Sequence, residues 1–144
     1  KQALLVFKVG AEGRMAIPLA DVDRLEEFAS DRVEQSNGRE VVQYRDRILP
    51  LLHVERFVAG GDPNALMPDP MPVVVHTHEG ETVGLVVGSI LDIVHENVGT
   101  IRRRGGRCVL GSLVIQGHVT DLLDVPGLLQ TVRAATEEAA VQAA

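Results

Sequence analysis

Short apolar stretches alternate with turn residues along this chain, and one such pattern occurs twice. Residues 41–57 (VVQYRDRILPLLHVERF) and 112–128 (SLVIQGHVTDLLDVPGL) each predict a strand, a tight turn, a second strand and a short helix. Laid over each other, Ile48 falls on Val119, Leu51 on Leu122, Leu52 on Leu123, Val54 on Val125 and Phe57 on Leu128, and Arg45-Asp46 at the turn meets Gln116-Gly117. The preceding segments correspond too. Phe7, Ala16, Ile17, Leu19, Val22 and Leu25 meet Val75, Gly84, Leu85, Val87, Ile90 and Ile93, allowing a turn of different length near Gly13 and Gly80. An internal repeat of this kind predicts two small β units. Units of ~70 residues have thin cores of their own, so a shared core is expected.

Residues 2–9 and 14–19 predict the first hairpin, turning through Gly10 and Gly13. Residues 20–29 place Val22, Leu25 and Phe28 at three-residue spacing, which is the periodicity of a helix, although a bent strand fits part of it. Residues 39–44 and 47–53 predict the second hairpin. There Ile48-Leu49-Pro50-Leu51-Leu52 is apolar on both faces, which implies burial on each, and Pro50 calls for an edge or a bulge because it lacks an N–H. Residues 59–72 hold two glycines and four prolines and read as a surface connection. Strands are expected again at 73–78, 83–87, 107–116 and 118–123, and the Ala- and Glu-rich end favours a helix. The resulting division is one domain over 1–130, with halves near 1–58 and 73–130 whose strands can exchange, and a tail or linker helix at 131–144.

Composition narrows the function. The 144 residues carry a formal charge of −6, with no Trp, one Tyr and three Phe. A general nucleic-acid binder neutralises phosphates with Lys and Arg and stacks bases on aromatic rings, so neither ingredient is in place. No apolar run approaches the ~20 residues that span a bilayer. Cys108 is the only cysteine, which excludes an intrachain disulfide, and its apolar setting predicts a core position within a strand. The start at Lys1 suggests a piece of a longer protein.

Candidate chemistry is sparse. His76 and His78 lie two apart, hence on one face of a strand, with Glu79 following. They could begin a metal site, but the spacing alone is weak evidence and a solvent-facing strand end is the simpler account. Arg102, Arg103, Arg104 and Arg107 surround two glycines in a basic loop that could hold an acidic partner or a phosphate, although a hydrated turn is the simpler reading. There is no phosphate-binding glycine loop before Lys-Ser/Thr and no G-x-S-x-G elbow. No catalytic constellation, cofactor site or complete metal shell is predicted.

The segments VVQYRDRILPLLHVERF, VVVHTHEGETVGLVVGSILDIV and VIQGHVTDLLDVPGLL resemble the CheW-like regulatory domain at the C-terminal end of the chemotaxis histidine kinase CheA. The turn Gln43-Tyr44-Arg45-Asp46 is similar to the kinase form rather than to the Asn-Leu-Arg-Gly type usual in the freestanding adaptor CheW. The resemblance implies an all-β CheW-like fold: two SH3-like five-stranded barrels sharing a hydrophobic core, with short helices. It also implies a non-catalytic domain that docks to a CheW adaptor, to chemoreceptor cytoplasmic tips and to other domains of the same kinase. Such a protein is cytoplasmic and recruited to receptor arrays. Val41, Val42, Tyr44, Arg45 and Asp46, which flank the best-matched turn, are the expected contact residues. The rivals are a freestanding CheW-type scaffold, a kinase with a receiver domain beyond Ala144, a small β-barrel metalloenzyme using His76, His78 and Glu79, and a sensor with a ligand cleft between the barrels.

Overall fold

Turn chemistry and strand alternation together account for most of the architecture. The computed structural model describes residues 1–101 and 106–143. Its first hairpin joins β1 (Gln2–Val9) to β2 (Gly13–Pro18); β3 (Arg24–Phe28) and the short β4 (Glu34–Ser36) follow. Then come β5 (Arg39–Tyr44) and β6 (Arg47–His53), a long connection, and β7 (Met71–His78) and β8 (Glu81–Val86). The chain ends with β9 (Ser89–Glu96), β10 (Val109–Ile115), β11 (His118–Leu123) and a helix, α1 (Val125–Ala143). Four hairpins turn through residue pairs with φ positive at both positions: Asn37-Gly38, Arg45-Asp46, Glu79-Gly80 and Gln116-Gly117. That is the type I′ geometry whose twist matches the flanking strands. Three of the four pairs end in glycine, and Arg45-Asp46 (φ 51° and 61°) does not.

The strands form two sheets, ordered β10-β11-β2-β1-β9 and β3-β7-β8-β6-β5-β4. Each sheet combines the opening hairpin of one half with the later strands of the other. The join is the same parallel contact in both: Leu51 faces Gly84 between β6 and β8, and Leu122 faces Ala16 between β11 and β2. The repeat read from sequence is therefore a structural two-fold in which the halves exchange hairpins. β6 changes partner midway, pairing through residues 47–50 with β5 and through 51–53 with β8. Pro50 sits at that handover. Counting from the two-residue turn, its pair with Val41 is a non-hydrogen-bonded one, so the missing N–H costs the ladder nothing.

Because the strands alternate between two apolar environments, their inward runs are nearly continuous. Leu4 and Val6 of β1 enter the core of the first barrel, while Leu5, Phe7 and Val9 enter the core between barrels. In β7, Val73 and Val75 enter the second barrel and Val74 the shared core. Among the described residues, the shared core gathers sixteen buried residues, against eight and six within the barrels. The barrels are thus joined through a hydrophobic core rather than across a solvated seam.

Several expectations change. Residues 20–29 are a 3-10 turn (Leu19–Asp21) and then β3 rather than a helix. The three apolar residues that mimicked a helical stripe have three destinations: Val22 packs on the shared core, Leu25 faces solvent and Phe28 enters the second barrel. The hairpin equivalence shifts by one residue in the opening strand. Val6, not Phe7, matches Val75, since Val6 faces Ala16 and Val75 faces Gly84. The turn after β1 holds three residues, Gly10 to Glu12, against two after β7, and one extra residue moves every side chain to the other face. Residues 89–96, for which no strand is predicted, form β9, a full strand paired with β1. Cys108 is buried as expected, but in a left-handed turn residue (φ 62°) before β10 instead of within a strand. The short helix predicted at the end of residues 112–128 begins at Val125 and runs on through the Ala- and Glu-rich end as one helix, in which Val125, Leu128 and Val132 complete the shared core.

Candidate protein-interaction surface

The β5–β6 hairpin divides the expected contact residues into a buried stem and an exposed tip. Val41 and Val42 are 7% and 0% exposed, and Val42 packs with Leu49, its cross-strand partner, in the core of the second barrel. They anchor the hairpin and present almost no side chain to a partner. Val42 enters the barrel core and Val41, on the opposite face of the strand, is covered as well, so the stem is buried on both faces while Arg45 and Asp46 at the tip are exposed.

Tyr44, Arg45 and Asp46 are at that tip. Tyr44 is half-buried, edge-on to Phe28 with ring centroids 6.0 Å apart, and its hydroxyl donates to Glu26 Oε1 at 3.1 Å. This fixes the ring from two sides. The exposed Arg45 guanidinium lies 5.4 Å from the centre of the same ring, a cation–π arrangement. Asp46 is exposed at the second turn position.

Ile48 was expected to be buried on an apolar strand, and instead it is 65% exposed. It pairs across the hairpin with Gln43, whose side-chain amide donates to Glu34 Oε2 at 2.8 Å, so that pair points away from the core. Ile48 is thus a contact candidate that reasoning from residue type missed. One signal was present, its alignment with Val119, which is 71% exposed at the matching place on the other barrel. Val119 pairs with Val114, also exposed, so each barrel shows an apolar spot just behind its hairpin tip. Clefts of ≈ 400 Å³ and ≈ 700 Å³ flank the β5–β6 tip, with Tyr44, Arg45, Arg47 and Ile48 shared between them.

The remaining candidates do not assemble into chemistry. His76 is 6% exposed, not solvent-facing, and its Nδ1 lies 2.7 Å from the Asp21 carbonyl, which makes Nδ1–H the donor. Its Nε2 is buried without a partner. His78 stacks beside it at 6.2 Å, with its own Nε2 3.8 Å from Glu79 Oε1. Among the described residues, no three His, Cys, Asp or Glu side chains gather as a metal shell. Cys108 Sγ faces Thr131 Oγ1 at 3.5 Å. The Arg102–Gly105 part of the basic loop lies outside the described residues. Among the described residues no helix is long and apolar enough to cross a membrane. His53, which sequence reasoning passed over, is buried with an unpartnered Nδ1; burial first, then the nearby Arg56 charge, lower its pKa to about 4 against the opposing pull of Glu40.

Compared with protein-family models, the chain matches the CheW-like domain over residues 3–133. Compared by sequence with curated proteins, it matches none. Among solved structures it is similar to the scaffolding protein TtCheW from Thermoanaerobacter tengcongensis, with a TM-score of 0.71 over 86% of this chain and 84% of that one. At 15% identity that likeness is one of fold.

Proposed function

The chain belongs to the CheW-like domain family, and from that premise we propose that it is a non-catalytic docking domain of a chemotaxis-type signalling assembly. In this reading it serves as the regulatory domain of a histidine kinase. It binds a CheW-type adaptor and chemoreceptor cytoplasmic tips, and so couples receptor state to autophosphorylation by the kinase's other domains. Recruitment to receptor arrays from the cytoplasm follows from those partners, and no cofactor is needed.

The observation that carries the docking role is the exposed Ile48 behind the rigid Tyr44-Arg45-Asp46 tip, repeated on the other barrel as Val119 behind Gln116-Gly117. Two different apolar ends on one molecule suit heterologous, head-to-tail contacts, which propagate into rings when the rotation closes. A central aliphatic anchor with a polar rim is the usual composition of such a contact.

The Gln43-Tyr44-Arg45-Asp46 turn favours the kinase setting. The structural similarity to a scaffolding protein favours a second reading, a freestanding CheW-type scaffold with the partners exchanged. Calorimetry with a CheW-type adaptor and, separately, with the regulatory domain of a chemotaxis kinase tests both. Saturable adaptor binding weakened by Tyr44→Ala, Arg45→Glu and Ile48→Lys supports the kinase setting. Preference for the kinase domain supports the scaffold, and binding to neither rejects the docking role.

A further inference from the structure

The internal repeat lets one barrel serve as a reference for the other. In the first barrel, Gln116 at the β10–β11 tip donates from Nε2 to Asp92 Oδ2 at 2.7 Å and accepts at Oε1 from Arg14 Nη2 at 3.2 Å. The tip is thereby tied to β9 and to β2. The counterparts in the second barrel follow from register. Asp92 faces Val6 and Arg24 faces Val75, and Val6 and Val75 are equivalent through Ala16 and Gly84. Arg45 stands where Gln116 stands, at the first turn position.

The second barrel therefore has arginine at both places where the first has a hydrogen-bonded amide and carboxylate. Two guanidiniums are donors only and repel each other, so no bridge can close that side. What remains is the ≈ 400 Å³ cleft between β3 and the hairpin tip, lined by Arg24, Arg45, Arg47, Ile48, Thr77 and Thr82 among others. None of these three arginines makes an ion pair among the described residues. Asp23 is the one acidic residue in the lining, and it already accepts from Thr77 Oγ1 at 2.6 Å; Glu26, behind it, accepts from Tyr44.

We infer that the cleft between β3 and the β5–β6 tip receives a carboxylate side chain from a partner protein, an Asp or Glu with an apolar neighbour that covers Ile48. This rests on the docking role proposed above and names the chemistry of the partner at that site. The missing member of the first barrel's bridge is a carboxylate, and Arg forks bind carboxylates bidentately. Three unpaired arginines on a chain of net charge −6 also make the cleft a local exception that would orient an acidic segment.

The test is a titration of the 15N-labelled chain with an acetylated, amidated Leu-Asp-Leu-Glu-Leu peptide, alongside its Leu-Asn-Leu-Gln-Leu counterpart. The cleft predicts saturable amide shifts at Arg24, Arg45, Thr77 and Thr82, with binding about tenfold weaker for the amide peptide. Arg24→Asp combined with Arg45→Gln rebuilds the bridge of the first barrel, and it should abolish the shifts while leaving Tm equal or higher. Equal response to the two peptides, no response to either, shifts confined to another surface, or binding retained in the double variant would each overturn the proposal. Adaptor calorimetry run in parallel keeps it separate from the docking role. An adaptor that binds the wild type and the double variant equally refutes the carboxylate cleft alone. Peptide binding without adaptor binding refutes the docking role alone.

Discussion

Gly84 lies directly across from Leu51 at the parallel join between the halves, so close that a Cβ on the glycine would sit 3.1 Å from Leu51 Cδ2 and 2.8 Å from Val73 Cγ1. Its counterpart across the pseudo-two-fold, Ala16, holds a methyl group at the matching position opposite Leu122. The two joins are therefore packed differently, and the one through Gly84 has no space to give. We expect Gly84→Ala to destabilise the domain by about 1–3 kcal/mol through overpacking, read as a lower urea midpoint at unchanged slope. An unchanged midpoint would mean that the β6–β8 join is looser than this geometry.

The Arg45-Asp46 turn holds two non-glycine residues at positive φ. Asp tolerates that region better than most residues, yet glycine enters it without steric cost. Asp46→Gly should raise stability by roughly 0.5–1 kcal/mol, since the steric relief exceeds the added unfolded-state entropy. Chemical denaturation measures this directly. A loss of stability would show that the Asp46 side chain makes a contact worth more than the turn strain.

Stem and tip of the same hairpin should respond oppositely to truncation. Val42→Ala removes a fully buried side chain and is expected to cost about 1.5–3 kcal/mol. Ile48→Ala, two-thirds exposed, should change stability by less than about 0.5 kcal/mol and act on partner binding instead. Parallel melting and adaptor titrations separate the two effects. A large loss of stability at Ile48 would place it in the core.

His53 gives the domain a pH dependence of defined sign. Its folded pKa is about 4, below the ordinary 6.5, because burial and Arg56 disfavour the imidazolium. Between those values the unfolded chain binds a proton that the folded one refuses, so stability falls as pH drops from about 6.5 towards 4. The loss from this one group is at most about 3 kcal/mol. His53→Leu should flatten that part of the stability–pH curve relative to wild type, as followed by urea denaturation at stepped pH. An identical slope in the variant would assign the dependence to other groups.

Local order was legible because its causes are local. The hairpin at residues 39–53 begins and ends where alternation and turn residues place it, the one at residues 71–86 turns where expected with strand ends one or two residues away, and the two-fold repeat appears as aligned apolar positions in which Leu52, Val54, Leu123 and Val125 all reach the shared core. Of the residues expected around the β5–β6 turn, Tyr44, Arg45 and Asp46 lie at the tip and Val41 and Val42 are buried in the stem, while Ile48, expected inside, is exposed.

What the sequence determined by itself is the strand pairs of the hairpins β1–β2, β5–β6, β7–β8 and β10–β11, their turns and the repetition of the pattern, since each rests on the period of side chains and the φ preferences of a few adjacent residues. Only the tertiary structure decided which half each strand joins, the one-residue offset of the first hairpin, the strand at residues 24–28 and the difference between a closed Gln116 tip and an open Arg45 tip. Those depend on partners many residues away. A run such as Val22, Leu25 and Phe28 has the same hydrophobicity whether its members share one face or go to two cores and solvent, and only the neighbouring strands, fixed by the packing of the whole chain, distinguish the two.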